Sequence, residues 1–334
     1  MTPFLEVRPT IENHWRAIVL FGRNVATYKF ALAKALLELR AVPNDLLKLD
    51  DLAVPFARNV CEHLQLAPKQ ATSRSSRFLE ACRKANLGEI SDDQLRSTTV
   101  ALGFNNVLDA FHRLGPSNIS RRFFVDERKT HDGIRLTDEA RALGELAYVN
   151  DLMHETEARW RLVETAWEVG LSRSLVEFDR HTENLLARGR RITVTSSRSA
   201  LNGYQKGHCF YCFAPITTEP GDMNADVDHF FPWAVRAHLI GNVDGVWNLV
   251  LACRTCNRGA NGKFDLVPAK PLVERLHKRN EFLITSHHPL RETLLSQTGA
   301  SERDRAKFLQ KNYAAAVTNR IAGWTPKPRA EPVF

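Results

Sequence analysis

The sequence predicts a mainly α-helical chain of 334 residues that contains one small α+β module. Two observations predict this fold class. Apolar residues recur at steps of three and four over most of the chain, which is typical of amphipathic helices. In the second half, two C-x-x-C pairs about forty residues apart bracket short apolar runs with the length of strands.

The first 187 residues are predicted to form a helical domain that contains one β-hairpin. The segment 10–41 reads as largely helical, with a break or a close helix packing at Gly22. Gly115-Pro116 ends a later helix. Short runs at 123–125 and 134–137 around His131-Asp132-Gly133 predict a hairpin within 121–137. Further helical segments are predicted at 49–66, 72–86, 91–114 and 138–187.

The α+β module is predicted to span residues 188–270, and a C-terminal helical extension follows at 271–334. The boundary lies in 186–207, where the composition changes to Arg, Ser, Thr and Gly. The extension should contain helices near 270–285, 289–297 and 302–322. The Pro-rich end of the chain, from about 323, is expected to fray.

Composition indicates a globular protein without a membrane-spanning segment. Apolar residues make up 43% of the chain, an ordinary value for a globular protein. No run approaches the roughly 18 apolar residues of a membrane span. The N-terminal residues lack the pattern of a secretory signal. We therefore expect a cytoplasmic protein with no membrane partner.

The positive charge of the chain is concentrated in its second half. Residues 1–185 carry 25 Lys and Arg against 26 Asp and Glu, whereas residues 186–334 carry 21 against 12. Essentially all of the net charge of +8 therefore accompanies the C-x-x-C pairs. A basic module of this kind indicates a polyanionic partner such as nucleic acid.

The paired cysteines have the spacing of a tetrahedral zinc site. Zinc in a closed site of four thiolates holds structure and performs no chemistry. The two remaining cysteines, Cys61 and Cys82, lie in segments with the apolar pattern of amphipathic helices and are expected to be small buried side chains. The predicted zinc ligands are Cys209, Cys212, Cys253 and Cys256.

Four elements within 206–268 occur in an order that resembles the HNH nuclease family, whose fold is a ββα-metal finger. They are the first C-x-x-C pair (CFYC), the motif DHFFP that contains Asp228-His229, the pair Asn248-Leu249, and the second C-x-x-C pair followed by Asn257. The resemblance covers about 60 residues and implies a metal-dependent endonuclease or nickase. From the residues alone, one strand ends at His229, Asn248-Leu249-Val250-Leu251 form a second strand, and a helix begins near Cys253.

The resemblance also implies a role for each matching residue. His229 is the general base, and Asp228 and Asn257 bind one catalytic Mg²⁺ or Mn²⁺ through oxygen atoms. Asn248 braces the loop that holds the histidine, with the backbone carbonyl of Asp228 or His229 as its natural partner. Asn261, one turn after Asn257, is the alternative metal ligand. The lysine that often follows the last cysteine by four residues is replaced by Ala260, and Lys263 comes later.

Double-stranded DNA is the expected partner, although the sequence does not distinguish DNA from RNA. With the segments TYKFALAKALLEL and EARWRLVETAW, the helical half resembles the helical region of HNH proteins in bacterial anti-phage systems, Zorya-type systems among them. It is therefore expected to regulate, recruit or recognise, with other defence proteins as expected partners. Two alternatives stay open: a restriction enzyme specific for modified DNA, and a zinc-stabilised DNA- or RNA-binding module without cleavage. Candidate phosphate contacts are Lys206, Arg236, Arg254, Arg258, Lys263 and Lys270.

Overall fold

The computed structural model shows a mainly α-helical protein with small sheets, which confirms the predicted fold class. It describes residues 9–21, 26–71, 76–114, 117–168, 176–187, 192–219, 224–285, 288–320 and 322–334. The chain divides into two compact units, Met1–Glu168 and Val169–Phe334. The division therefore falls at 168/169, whereas the sequence places the domain boundary at 187/188, and the C-terminal helices share a unit with the cysteine pairs.

Unit 1 is built from helices with two small antiparallel sheets. Helix α2 packs against α3 and α9. Strand β5 lies between β1 and β4, and β2 pairs with β3. The helices are α1 (Ile11–Phe21), α2 (Tyr28–Glu38), α3 (Leu49–Leu66), α4 (Arg77–Asn86), α5 (Asp92–Thr98), α6 (Val107–Ala110), α7 (Arg128–His131), α8 (Asp138–Gly144) and α9 (Val149–Glu168). The strands are β1 (Leu46–Lys48), β2 (Arg113–Leu114), β3 (Ser117–Asn118), β4 (Phe124–Glu127) and β5 (Gly133–Leu136).

Unit 2 combines three small sheets with helices. Strands β6, β7 and β8 form an antiparallel sheet, β9 pairs with β10 antiparallel, and β11 pairs with β12 parallel. The helices are α10 (Ser197–Gln205), α11 (Arg254–Arg258), α12 (Lys270–Thr285), α13 (Arg291–Thr298) and α14 (Glu302–Asn319). The strands are β6 (Val176–Asp179), β7 (Asn184–Ala187), β8 (Ile192–Ser196), β9 (Ala225–His229), β10 (Leu249–Cys253), β11 (Val267–Pro268) and β12 (Ala322–Trp324).

The predicted hairpin is present in unit 1, with a different connection. Strands β4 and β5 pair antiparallel, with Phe124 opposite Leu136. The single helical turn α7 joins them, and the chain then reverses at Asp132, which has a φ of 50°. The left-handed backbone of Asp132 lies inside the predicted turn because aspartate tolerates this conformation better than most side chains.

Two predicted helices end earlier than expected. In the segment 91–114, the helix gives way after residue 110, and the Phe123 amide donates to His112 Nε2 at 3.0 Å. In the segment 138–187, the last part forms β6 and β7 instead. The turn between these strands is closed because the Asp179 carboxylate accepts a hydrogen bond from the His181 amide at 2.8 Å. The predicted breaks at Gly22 and Gly115-Pro116 lie outside the described residues.

The core of unit 1 encloses polar groups as well as aromatic rings. Arg16 on α1 donates to both carboxylate oxygens of Glu155 on α9, at 2.8 and 2.9 Å. The two side chains are only 2% and 4% exposed. Nearby in the chain, the His63 ring stacks on Trp160 with 3.4 Å between ring centroids. A buried ion pair of this kind joins α1 to α9 because neither charge has water available to replace its partner.

No helix in the part of the chain that the structure describes combines the length and the apolar character that a membrane crossing needs.

Replacing Arg16 with methionine is expected to destabilise unit 1 by about 3–5 kcal/mol, because Glu155 then stays buried without its guanidinium partner. Hydrogen exchange of α1 and α9 peptides, followed by mass spectrometry, measures the change. Arg83→Met, which breaks the exposed contact of Arg83 with Glu80, is the matched control and should have little effect. The double variant Arg16→Met/Glu155→Leu should recover most of the loss. Equal exchange in the Arg16 and Arg83 variants would contradict this role.

Candidate metal centre and catalytic cluster

The four predicted cysteines form one buried cluster in unit 2. Cys209 and Cys212 follow α10, Cys253 ends β10, and Cys256 lies in α11. Their sulfur atoms all lie within 4.8 Å of one another, and Cys212 Sγ is 3.8 Å from Cys253 Sγ. Four thiolates at about 2.3 Å from a tetrahedral zinc ion are separated by about 3.8 Å. The cluster can therefore hold a metal ion such as zinc.

Backbone hydrogen bonds shape the first cysteine pair. The Cys209 amide donates to the Ala214 carbonyl at 2.8 Å, and the Phe213 amide donates to the Cys209 carbonyl at 3.0 Å. Phe213 has a φ of 62°, the left-handed backbone that turns the chain sharply. The Phe210 amide donates to the Leu251 carbonyl on β10 at 2.9 Å. The first pair is thus fixed to the strand that leads into the second pair.

The end of the chain packs onto this cysteine pair instead of fraying. The Arg329 amide donates to the Cys212 carbonyl at 3.0 Å. The ring of Phe334 lies against Tyr204, with 5.3 Å between centroids. Lys206 Nζ donates to the Val333 carbonyl at 2.7 Å and is only 5% exposed. The prediction that Lys206 lies on an exposed phosphate track is therefore wrong, because the end of the chain covers this residue.

The predicted hairpin brings Asp228 and His229 to the end of β9. His229 lies opposite Leu249, the first residue of β10. His229 Nε2 is 2.8 Å from Asp244 Oδ1, and both side chains are half-buried. Burial lowers the pKa of His229, and the hydrogen bond to Asp244 opposes that shift.

Sequence reasoning missed Asp244, the carboxylate beside the histidine. The signal was an Asn-x-Asp turn: the Asp244 amide donates to Asn242 Oδ1 at 3.0 Å. This turn precedes Asn248, so it was available in the sequence as a short polar run between the two strands. A carboxylate that accepts from one ring nitrogen selects the histidine tautomer.

Asp228 is buried between two polar partners. Its Oδ2 accepts a hydrogen bond from the Tyr211 hydroxyl at 2.5 Å, and its Oδ1 lies 3.2 Å from Lys263 Nζ. Burial raises the pKa of Asp228, and Lys263 and Tyr211 oppose that shift. Tyr211, which stands inside the first cysteine pair, was not selected from the sequence.

Lys263 reaches Asp228 because the chain doubles back directly after α11. The Gly262 amide donates to the Gly259 carbonyl at 2.7 Å, and the Lys263 amide donates to the Cys256 carbonyl at 2.7 Å. A Cβ atom at Gly262 would lie 2.9 Å from Gly259 N, so the turn has no room for a side chain. Lys263 is 0% exposed, which corrects its prediction as a surface phosphate contact.

Asn257 lies beside β9 but contacts a different carboxylate from the expected one. Asn257 Nδ2 donates to Asp226 Oδ2 at 3.0 Å, and Arg258 Nε lies 3.0 Å from the same oxygen. Asp226 and Asp228 alternate with Val227 along β9 and therefore share one face of the strand. The backbone carbonyl of Asn261, the alternative ligand, accepts a hydrogen bond from Trp324 Nε1 at 3.1 Å.

Asn248 braces the loop after His229 through partners that the sequence did not predict. Its Oδ1 accepts from the Phe231 amide at 2.8 Å, and its Nδ2 donates to the carbonyls of Phe231 and Val243, both at 3.0 Å. The expected side-chain partner was the carbonyl of Asp228 or His229. The brace thus acts two residues beyond the histidine, since the fully buried amide spans the loop between β9 and β10.

Four of the six predicted phosphate contacts are exposed side chains of unit 2. They are Arg236, Arg254, Arg258 and Lys270.

Cys256→Ser is expected to remove the metal and unfold the second cysteine pair, because structural zinc contributes on the order of 10 kcal/mol to the folding of small zinc domains. Elemental analysis of the purified chain should find about one zinc per molecule. Cys82→Ser is the matched control, since Cys82 is buried in unit 1 and is not one of the four clustered cysteines. A zinc-free wild-type chain with an unchanged melting curve would contradict the assignment.

Comparison with known proteins finds no family model, no curated protein and no solved structure that matches this chain. The chemistry of the site is therefore inferred from the residues and the geometry of this chain.

Proposed function

We propose that unit 2 is a metal-dependent endonuclease or nickase of the HNH type that hydrolyses DNA phosphodiester bonds. One arrangement supports this proposal. Asp228-His229 ends one strand of an antiparallel hairpin, Asn257 lies on the helix that follows the other strand, and four thiols hold that helix to the hairpin. Hydrolysis of a phosphodiester needs a base for water and positive charge near the phosphate.

His229 is the general base in this proposal. The hydrogen bond from Nε2 to Asp244 places a proton on Nε2 and the lone pair on Nδ1, which then accepts the proton of the attacking water. The lowered pKa of His229 keeps the ring neutral, and therefore basic, at neutral pH. Asp244 acts as a positioning residue that fixes both the tautomer and the ring orientation.

Asp228 and Asn257 are the proposed ligands of a catalytic Mg²⁺ or Mn²⁺, since hard cations prefer oxygen atoms. When bound, the cation stabilises the charge that develops on the phosphate oxygens. The carboxylate of Asp226, in contact with the Asn257 amide, positions this proposed ligand from the same face of β9. The Lys263 ammonium beside Asp228 supplies fixed positive charge at the same place.

DNA is the proposed substrate because the basic half of the chain carries the site. The exposed Arg254 and Arg258 lie on α11, the helix that holds Asn257. The nearly neutral residues 1–185 supply recognition or recruitment, including contacts with partner proteins. We place this activity in the cytoplasm, in phage defence or restriction. Comparison of methylated with unmethylated plasmid tests the alternative of a restriction enzyme specific for modified DNA.

A second candidate function is a nucleic-acid-binding module without cleavage. The observation in its favour is that Asp228 is already bound by Tyr211 and Lys263. These two partners occupy part of the acceptor capacity of the carboxylate and compete with a cation for its oxygen atoms. Plasmid binding without nicking at any metal concentration would favour this function.

His229→Ala is expected to lower the rate of plasmid nicking by roughly 10²–10⁴-fold, the usual contribution of a general base. DNA affinity should stay nearly unchanged because a general base contributes to the rate of the reaction and little to substrate binding. His238→Ala is the matched control, since His238 is an exposed histidine on the turn Trp233–His238 that follows the site. Nicking by the His229 variant within tenfold of wild type would refute this role.

Brief treatment with EDTA is expected to stop nicking, and added Mg²⁺ or Mn²⁺ should restore it while the zinc content stays at about one per chain. Asp228→Ala should remain inactive at ordinary metal concentrations. Asp226→Ala should raise the Mg²⁺ concentration for half-maximal nicking by roughly 10–100-fold, the usual effect of losing a partner of a metal ligand. The reverse ranking of the two variants would make Asp226 the ligand, and nicking undiminished in EDTA would exclude the metal mechanism.

A further inference from the structure

Two arginines from separate segments of unit 2 share one tryptophan ring next to His229. Arg180, in the turn between β6 and β7, has its guanidinium carbon 3.6 Å from the centre of the Trp233 ring. The guanidinium carbon of Arg236 is 4.8 Å from the same centre. The ring centres of Trp233 and His229 are 6.0 Å apart. Indole is the aromatic ring that binds cations best, so it holds both guanidinium groups beside the histidine.

The charge of this cluster exceeds that of its neighbouring carboxylate. Arg180 Nε lies 3.8 Å from Asp244 Oδ1, the oxygen that also contacts His229. Arg236 Nη1 lies 3.4 Å from the backbone carbonyl of Trp233, which carries no net charge. The cluster therefore brings together two guanidinium groups, and the carboxylate beside Arg180 is one that His229 also engages. The Arg180 side chain is 43% exposed and Arg236 is exposed, so a dissolved anion can reach both.

A phosphate of a nucleic-acid backbone has the chemistry that this cluster fits. A guanidinium group presents parallel N–H donors that match two phosphate oxygens, and stacking on an aromatic ring fixes the plane of those donors. The Trp233 ring at the centre of the cluster lies 6.0 Å from the His229 ring, measured between ring centres. If a scissile phosphate occupies the position at His229, the next phosphate along the same strand falls within reach of these arginines.

We propose that Arg180, Trp233 and Arg236 form a binding site for the DNA backbone phosphate next to the scissile one. This inference rests on the proposed function and extends it to a substrate contact. Arg236 is one of the phosphate contacts predicted from the sequence, whereas Arg180 is not. Arg180 belongs to the segment 138–187, which the sequence predicts to be helical. Trp233 supports the guanidinium groups by stacking and thereby directs their N–H donors toward the DNA strand.

The test measures binding of a labelled DNA duplex to the full-length His229→Ala protein, which does not cut, over a range of salt concentrations. Arg180→Gln should reduce the magnitude of the slope of log K against log salt by about 0.9, the value of one phosphate contact. When the variant and its parent bind equally at 1 M salt, this difference in slope makes the variant bind about eightfold more weakly than the parent at 0.1 M salt. Arg180→Lys should retain the slope but bind more weakly than arginine, because lysine keeps the charge and loses the stacked plane.

Arg83→Gln is the matched control, because Arg83 in unit 1 has a similarly exposed side chain, at 46%. Arg236→Gln tests the same site from a second segment, and Trp233→Leu should weaken both contacts. An unchanged slope in both arginine variants overturns the site while leaving the nuclease proposal intact. A reduced slope in these variants, together with no nicking by the wild-type protein at any metal concentration, supports the site and refutes the nuclease proposal. Salt-independent binding, or a reduced slope on RNA but not on DNA, overturns the inference.

Discussion

The four-thiol cluster is the constraint on which the geometry of unit 2 depends. Cys253 ends β10 and Cys256 lies one turn into α11, so a metal held by both fixes the angle between strand and helix. The first pair is tied to the same strand through the Phe210 amide and the Leu251 carbonyl. Because the strand is short, an error at the cysteines would be transmitted directly to His229, which pairs with its first residue.

Burial and hydrogen bonding divide the polar groups of the site into different roles. Asp228 lies inside, held by Tyr211 and Lys263, whereas Asp226 is on the same face of β9 and contacts Asn257. A buried carboxylate without partners would be costly, and both partners lower that cost. The short strand thus offers two carboxylates with unlike surroundings from an Asp-x-Asp pattern of period two.

Local patterns predicted the parts of the site that depend on local spacing. The C-x-x-C pairs, the strand that ends at His229 and the second strand follow from neighbouring residues, and the structure has all of them, with the second strand beginning at Leu249, one residue later than predicted. Partners that come from far along the chain could not be predicted in this way. The charge of Lys206 suggested an exposed residue. Its partner in the structure is the backbone carbonyl of Val333, 127 residues further along the chain, which no local pattern reveals.

The same limit explains the errors in the fold. The segment 176–187 contains Leu, Glu and Arg, which favour helices. It forms strands because β7 pairs antiparallel with both β6 and β8. Helix propensity is a weak preference that such tertiary pairing overrides. The role of Arg180 was hidden for the same reason, since its neighbours on the Trp233 ring are set by that sheet and not by the adjacent sequence.

The contact between the Arg329 amide and the Cys212 carbonyl has a consequence for synthesis on the ribosome. Cys256, the last of the four thiols, emerges well before Arg329, by roughly 4–15 s at a translation rate of about 5–20 residues per second. During that interval the first cysteine pair lacks the segment that later covers its backbone. During that period the thiols would be more open to oxidation or to a competing metal, and a metal ion bound by all four during translation would protect them.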